Sequence, residues 1–115
     1  RERQQFGRVI GSFQAVKHAC TDMFDRSESA WSVALYGAAA LDAGTDDAQL
    51  AITVALAHAI ESATWVTRQS IQIHGGIGFT WEHDAHLFYR RAHDAATVLG
   101  TESELLHAVA DLIGL

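Results

Sequence analysis

Three of the nine glycines stand together at Gly75, Gly76 and Gly78, directly behind Gln72, Ile73 and His74. Glycine lets the backbone turn sharply and lets a ligand come close to it. Amides presented in succession by such a turn bind an anion without any basic side chain. With the Gln72 amide just ahead, the segment suits a phosphate or pyrophosphate, although the same residues also make a plain turn between two helices. It is not the G-x-G-x-x-G fingerprint that follows a strand in dinucleotide folds. Arg3 is the best candidate for a phosphate contact, because a guanidinium offers planar, fixed donors; its ordinary alternative is a solvated arginine at a helix start. Among seven histidines, His83 and His86 sit at i, i+3 beside Glu82 and Asp84, with His93 two turns on. That spacing could hold a metal, and polar histidines at an interface explain it equally.

The bulk properties narrow the classes. The chain has 115 residues, enough for one domain, and 49% are hydrophobic, which excludes a disordered tail. A net charge of −6 disfavours nucleic acid or an anionic membrane as partner. The single cysteine, Cys20, rules out an internal disulfide and is expected as a small core residue, with a reducing cytoplasm as the compartment. The apolar run at residues 50–60 contains Thr53 and His58 and is too short to span a bilayer. Trp31, Trp65 and Trp81 read as packing residues, since they lack the basic interleaving of a nucleic-acid platform.

No proline interrupts the chain, which permits long helices. A first helix is expected from about residue 8 to about residue 43, with Phe13, Val16, Cys20, Met23, Ser27, Ala30, Ala34, Ala38 and Leu41 on its apolar face. Gly44 is its stop. Thr45-Asp46-Asp47 reads as the cap of a second helix that runs to about His74, with an alanine-rich middle suited to close packing. A third helix begins near Glu82 or His83 and ends near Thr97. After a loop at Val98-Leu99-Gly100, Thr101 and Glu104 have capping-box spacing for a fourth. The expectation is one all-α antiparallel bundle over residues 1–115.

Several segments, in order, resemble the acyl-CoA dehydrogenase family. Arg3-Gln4-Gln5-Phe6-Gly7, followed by Phe13-Gln14, resembles its R-x-x-F-G…F-Q signature. Gln72 to Gly78 resembles its Q-x-x-G-G-x-G turn, and Gly75 to Asp84 with Tyr89-Arg90-Arg91-Ala92 resembles the approach to its catalytic loop. The resemblance covers essentially the whole chain. It implies the family's C-terminal helical domain without its first helix, as a fragment of a larger flavoenzyme. A missing helix implies an apolar groove and association with a homo- or hetero-oligomeric partner. The resemblance further implies FAD as cofactor, with Arg3, Phe6, Gln14, Gln72, Ile73, His74, Gly75, Gly76 and Thr101 as its contacts, largely across a subunit interface. No metal is implied.

One position departs from the pattern. Where most members carry Tyr-Glu-Gly-Thr, with the glutamate as base, this chain has Val98-Leu99-Gly100-Thr101. Leucine accepts no proton. Leu99 and Gly100 are left as substrate contacts, the Leu99 N–H being able to donate to a thioester carbonyl. The base has moved to an upstream helix, or a partner subunit supplies the working site, or Glu102 substitutes. The resemblance implies α,β-dehydrogenation of an acyl-CoA, with electrons passing to an electron-transfer flavoprotein. The alternatives are a non-catalytic scaffold subunit and a plain helical oligomerisation module.

Overall fold

The first helix starts later than its periodicity suggests. In the computed structural model, which describes residues 4–5 and 7–115, Gln4–Gln5 (β1) pairs antiparallel with Arg8–Val9 (β2), Gln4 opposite Val9 and Gln5 opposite Arg8. A 3-10 turn, Ile10–Ser12, follows. The Ser12 hydroxyl donates to the Val9 carbonyl at 2.6 Å, and the Arg8 guanidinium lies 4.0 Å from the centre of the Phe13 ring. β-Branched Val9 favours the extended backbone it adopts, at φ −63° and ψ 133°. Helix α1 therefore spans Gln14–Ala43, a correction to the expected start near residue 8.

Gly44 ends α1 as expected: it is left-handed at φ 64°, and its N–H donates to the Ala40 and Leu41 carbonyls. The buried face of α1 overlaps the expected stripe without matching it. Val16, Met23, Ala30 and Ala34 turn inward as expected, joined by Ala19, Arg26, Val33, Gly37 and Ala40, while Cys20, Ser27, Ala38 and Leu41 are exposed. The packed face is rotated toward the second of these groups, and both repeat at three and four residues. Cys20 is thus a surface thiol rather than a core residue.

Helix α2, Ala48–His74, is the centre of the domain and touches α1, α3 and α4. Its start lacks the expected side-chain cap. The Asp47 carboxylate instead accepts from the Tyr36 hydroxyl at 3.2 Å, and bonds from Thr45 and Tyr36 hold its pKa below the ordinary range. Small residues allow the helices to meet closely: a Cβ added at Gly37 would lie 3.3 Å from both the Ala51 carbonyl oxygen and the Ala55 Cβ. Ala51, Thr53, Ala55, Ala57, Ile60 and Ser62 are buried along α2. Ala57, Ile60 and Leu105 form the core cluster, with Leu56 and Ala96 packed on it.

Helix α3 runs Ala85–Leu99 and α4 runs Glu102–Leu112. Val98 and Leu99 belong to the last turn of α3, so the expected loop shrinks to Gly100 and Thr101. Two tryptophans are not packed: Trp31 is 65% exposed and Trp81 77% exposed. Each lies on a surface that this chain leaves uncovered. Trp65 is half-buried, with the Arg26 guanidinium 4.4 Å from its ring centre. Among the described residues, the segment Ala48–Phe79 is long and apolar enough, by length and composition, to cross a membrane. This corrects the estimate made on residues 50–60 alone. The central helix of a helical bundle meets the same test, and α2 packs against three other helices.

Candidate functional site

The glycine elbow is built by the way α2 stops. Gly75 takes φ 63°, and its N–H donates to the Gln72 and Ile71 carbonyls. Gly75–Phe79 then winds into a 3-10 turn. The turn is fixed at its far end by Thr80, whose N–H and hydroxyl reach the Ile77 carbonyl at 3.0 and 2.9 Å. Gly78 is buried against α2, where an added Cβ would lie 2.7 Å from the Ile71 carbonyl oxygen. Gly76 is the opposite case: an added Cβ there meets nothing within 4 Å. One glycine permits packing inside, and the other leaves the outer face open to a ligand.

The elbow shares a cleft with the amino-terminal segment. A hollow of about 260 Å³ is walled by Ile10, Gly11, Val16 and Cys20 on one side and by Ile73, His74 and Ile77 on the other. Of the expected cofactor contacts, Ile73 and His74 line it. Gln72 is exposed on the last turn of α2, and Gln14 is exposed at the start of α1 with its amide 2.8 Å from the His18 ring. Arg3 and Phe6 lie outside the described residues. Ile10 and Ile77, two of the apolar walls, carry no signal in the sequence beyond their nearness to the two motifs, whereas Val16 belongs to the expected apolar face of the first helix.

His74 and His83 join the elbow to α3. Their ring centroids are 4.2 Å apart at an angle of 45°. The His74 Nδ1 is 2.7 Å from the Ser70 carbonyl, and the His83 Nδ1 accepts from the Ala85 N–H at 3.1 Å. The His86 Nδ1 is 2.7 Å from the His83 carbonyl. Among the described residues, no group of histidine, cysteine and carboxylate side chains is arranged to hold a metal ion.

The second expected site lies at the α3–α4 junction. Leu99 is half exposed and, with Arg91, Asp94, Ala95 and Val98, lines a hollow of about 280 Å³. As the last residue of α3, it directs its N–H back along the helix. Gly100 follows at φ 111°, donating to the Ala96 carbonyl at 3.1 Å. Thr101 completes the expected capping box: its N–H and hydroxyl donate to one Glu104 oxygen at 2.8 and 2.7 Å, and the Glu104 N–H returns to the hydroxyl at 3.3 Å. The Thr101 N–H first, then its hydroxyl, holds the Glu104 carboxyl below its ordinary pKa. Glu102 lines two hollows shared with α2, both beside Glu61, and not the one that contains Leu99.

The fold defines a class of protein by architecture: a helical bundle domain in which a glycine elbow faces the start of the chain. Residues 1–113 match the family model described as acyl-CoA dehydrogenase, C-terminal domain, and the chain belongs to the acyl-CoA dehydrogenase family. It is 48% identical over 112 residues to acyl-CoA dehydrogenase FadE34 of Mycobacterium tuberculosis, covering 96% of this chain and 16% of that protein. It is 42% identical over 106 residues to acyl-CoA dehydrogenase IpdE2 of Mycolicibacterium smegmatis, covering 92% of this chain and 32% of that one. Among solved structures, the steroid acyl-CoA dehydrogenase Tcur3481–Tcur3483, as its G363A variant, superposes with a TM-score of 0.92 at 32% identity, over 98% of this chain and 31% of that one. The chain thus spans a third or less of the length of these relatives.

Proposed function

We propose that this chain is the C-terminal domain of an FAD-dependent acyl-CoA dehydrogenase and forms one wall of its flavin site. The observation that carries this reading is the cleft between the amino-terminal arm and the glycine elbow, the two segments that bear the family's signatures. The residues fit the cofactor. Gly76 leaves the backbone open to a pyrophosphate, and Ile10, Val16, Ile73 and Ile77 give an apolar surface for an adenosine end.

In the reaction, an acyl-CoA loses a proton alpha to the thioester and a hydride from the beta carbon, giving a trans-2-enoyl-CoA. FAD, when bound, supplies the hydride acceptor. Val98 and Leu99 present an exposed apolar surface at the end of α3, and the Thr101–Glu104 box fixes the loop that borders them. The proton goes to a carboxylate outside these residues, since Leu99 cannot take it and Glu102 faces α2. An electron-transfer flavoprotein is the proposed acceptor of the electrons. A relative, the Caffeyl-CoA reductase-Etf complex subunit CarC of Acetobacterium woodii, is 33% identical over 90 residues.

Oligomerisation is supported by one face of α1. Phe24, Trp31 and Leu35 are exposed along it, an apolar strip that water covers poorly. The cytoplasm is the proposed compartment, in keeping with a single free thiol. The test is purification of the full-length protein, its absorbance in the flavin bands, and acyl-CoA turnover with an artificial electron acceptor. Bound flavin bleached by an acyl-CoA is the expected result. A colourless protein that binds no added FAD overturns the reading.

A further inference from the structure

Resting on the reading of α1 as an oligomerisation face, we infer that two copies of this chain pair through it. The two helices run antiparallel about a twofold axis, with Lys17 of one copy opposite Asp42 of the other. The outward face of α1 carries a heptad series. Lys17, Phe24, Trp31 and Ala38 follow one another at intervals of seven residues, and Leu35 and Asp42 each lie four residues beyond a member of it. All six are exposed, Phe24 at 66% and Trp31 at 65%. Seven residues are close to two helical turns, so the series makes one stripe along the helix. It runs on the side of α1 away from Gly37, which packs on α2, and from buried Ala40.

The stripe is its own complement. In an antiparallel pair centred midway between Lys17 and Asp42, Lys17 meets the partner's Asp42 and Phe24 meets the partner's Leu35, and each contact occurs twice. Trp31 stands near the axis, beside the partner's Ser27, and Cys20 lies beside the partner's Ala38 on the same flank. A parallel pair would instead set Lys17 against Lys17 and Asp42 against Asp42, so charge selects the antiparallel register. Within one chain the two charges are about 38 Å apart along the helix, too far to pair with each other. Contact over that length buries on the order of 1,000 Å², around an aromatic anchor of the kind that dominates specific interfaces. Glu28, beside the centre of the stripe, falls on its flank, where water still reaches it. Cys20 joins the stripe to the cleft, which it lines with Ile10 and Ile73. The partner's Ala38 and Asp42 therefore stand at the rim of the flavin cleft, and the second copy completes it.

The experiment uses the full-length protein and three variants: Ala38→Cys, Lys17→Glu, and Lys17→Glu combined with Asp42→Lys. All three positions are exposed, so the fold tolerates the changes. After mild oxidation, Ala38→Cys is expected to give a covalent dimer, with Cys20 of one copy bonded to the new thiol at position 38 of the other, as peptide mapping shows. A disulfide needs Cα atoms within about 7 Å, which facing residues of paired helices reach. Wild type is expected to give no bond between two Cys20 thiols, which this register holds about 28 Å apart. Lys17→Glu is expected to weaken the dimer about tenfold in equilibrium sedimentation, as two exposed ion pairs become like charges, and Asp42→Lys added to it restores the dimer. Failure of that rescue overturns the inference. So does a cross-link from either thiol to an unlike subunit or to another segment of the same chain, since a different occupant then covers the stripe. A stable oligomer without the expected cross-link overturns the pairing and leaves oligomerisation standing. FAD binding is measured on the same samples: a monomer that binds FAD keeps the flavin reading and overturns the pairing, whereas a cross-linked dimer that binds none does the reverse.

Discussion

Gly78 and Ile71 are in such close contact that no other residue fits between them: a Cβ at position 78 would stand 2.7 Å from the Ile71 carbonyl oxygen and 3.0 Å from the His74 Cβ. Neither neighbour can yield easily, because the oxygen is backbone in the last turns of α2. Gly78→Ala is expected to destabilise the domain by about 1–3 kcal/mol, the usual cost of overpacking, and to weaken FAD binding. Gly76→Ala is the control. Its methyl enters open space, so folding stays as in wild type, and any loss of FAD affinity reports the approach of the ligand. Denaturation midpoints and flavin titrations of both variants check this. A Gly76→Ala protein that binds FAD as wild type does would move the pyrophosphate contact elsewhere.

Ser62 is 2% exposed in α2, and its hydroxyl has no hydrogen-bond partner among the described residues. A buried donor left unmade costs about 1–3 kcal/mol. Ser62→Ala removes the hydroxyl and keeps a small side chain between α1 and α2. It is expected to raise stability by about 1 kcal/mol, measured by urea denaturation. A loss of stability would mean that the hydroxyl is bonded in solution.

Arg26 pairs with Glu61 and covers the Trp65 ring at 4.4 Å. The paired side chains are about a third exposed, so solvent screens much of the Coulomb attraction. A double-mutant cycle with Arg26→Met and Glu61→Gln is expected to give a coupling of less than about 1 kcal/mol, falling with added salt. A larger, salt-independent coupling would place the pair in a drier setting than its exposure indicates.

The Thr101–Glu104 box has a signed pH signature. The folded pKa of Glu104 is depressed by bonds from Thr101 that its charged form accepts more strongly than its neutral form. Its contribution to stability is therefore complete above the unfolded pKa, about 4.3 for glutamate, and is lost as pH falls through the lower folded value. Glu104→Gln should flatten that part of the acid limb and leave stability at neutral pH little changed, because an amide oxygen still accepts from Thr101. An identical acid limb in wild type and Glu104→Gln would assign it to other carboxylates, with Asp47 the next candidate.

What the sequence discloses follows from the range of the forces involved. Gly44, the Thr101–Glu104 box and the elbow at Gly75 are set by bonds across three or four residues, and each is legible in order. The start of α1 is not, because Arg8–Val9 pairs with a strand before it. The buried face of α1 is legible only in part, since alanine and serine mark both edges of its stripe and Gly37 reveals where α2 comes close. Cys20, Trp31 and Trp81 look like core by type and lie outside, because burial depends on what covers a surface. The His74–His83 contact escapes any local rule: its partners are on either side of a turn whose path is visible only in three dimensions.

Leu99 stands where the family resemblance leads one to expect a glutamate, and its surroundings disfavour a carboxylate there. It closes α3, where the helix dipole disfavours negative charge, and Asp94 shares its hollow. Arg91 offsets this only in part, as both are exposed. Leu99→Glu is therefore expected to leave kcat at or below the wild-type value, and Leu99→Ala to keep the acid limb of kcat/KM, since the group that titrates is elsewhere. The two outcomes separate the enzyme from the scaffold. If the wild-type assembly is inactive and Leu99→Glu restores turnover by more than about tenfold, within the range that a positioned general base contributes, the wild-type site lacks a base and the chain serves a partner subunit. If wild type is active and Leu99→Glu gains nothing, the base comes from a segment that packs against the end of α3.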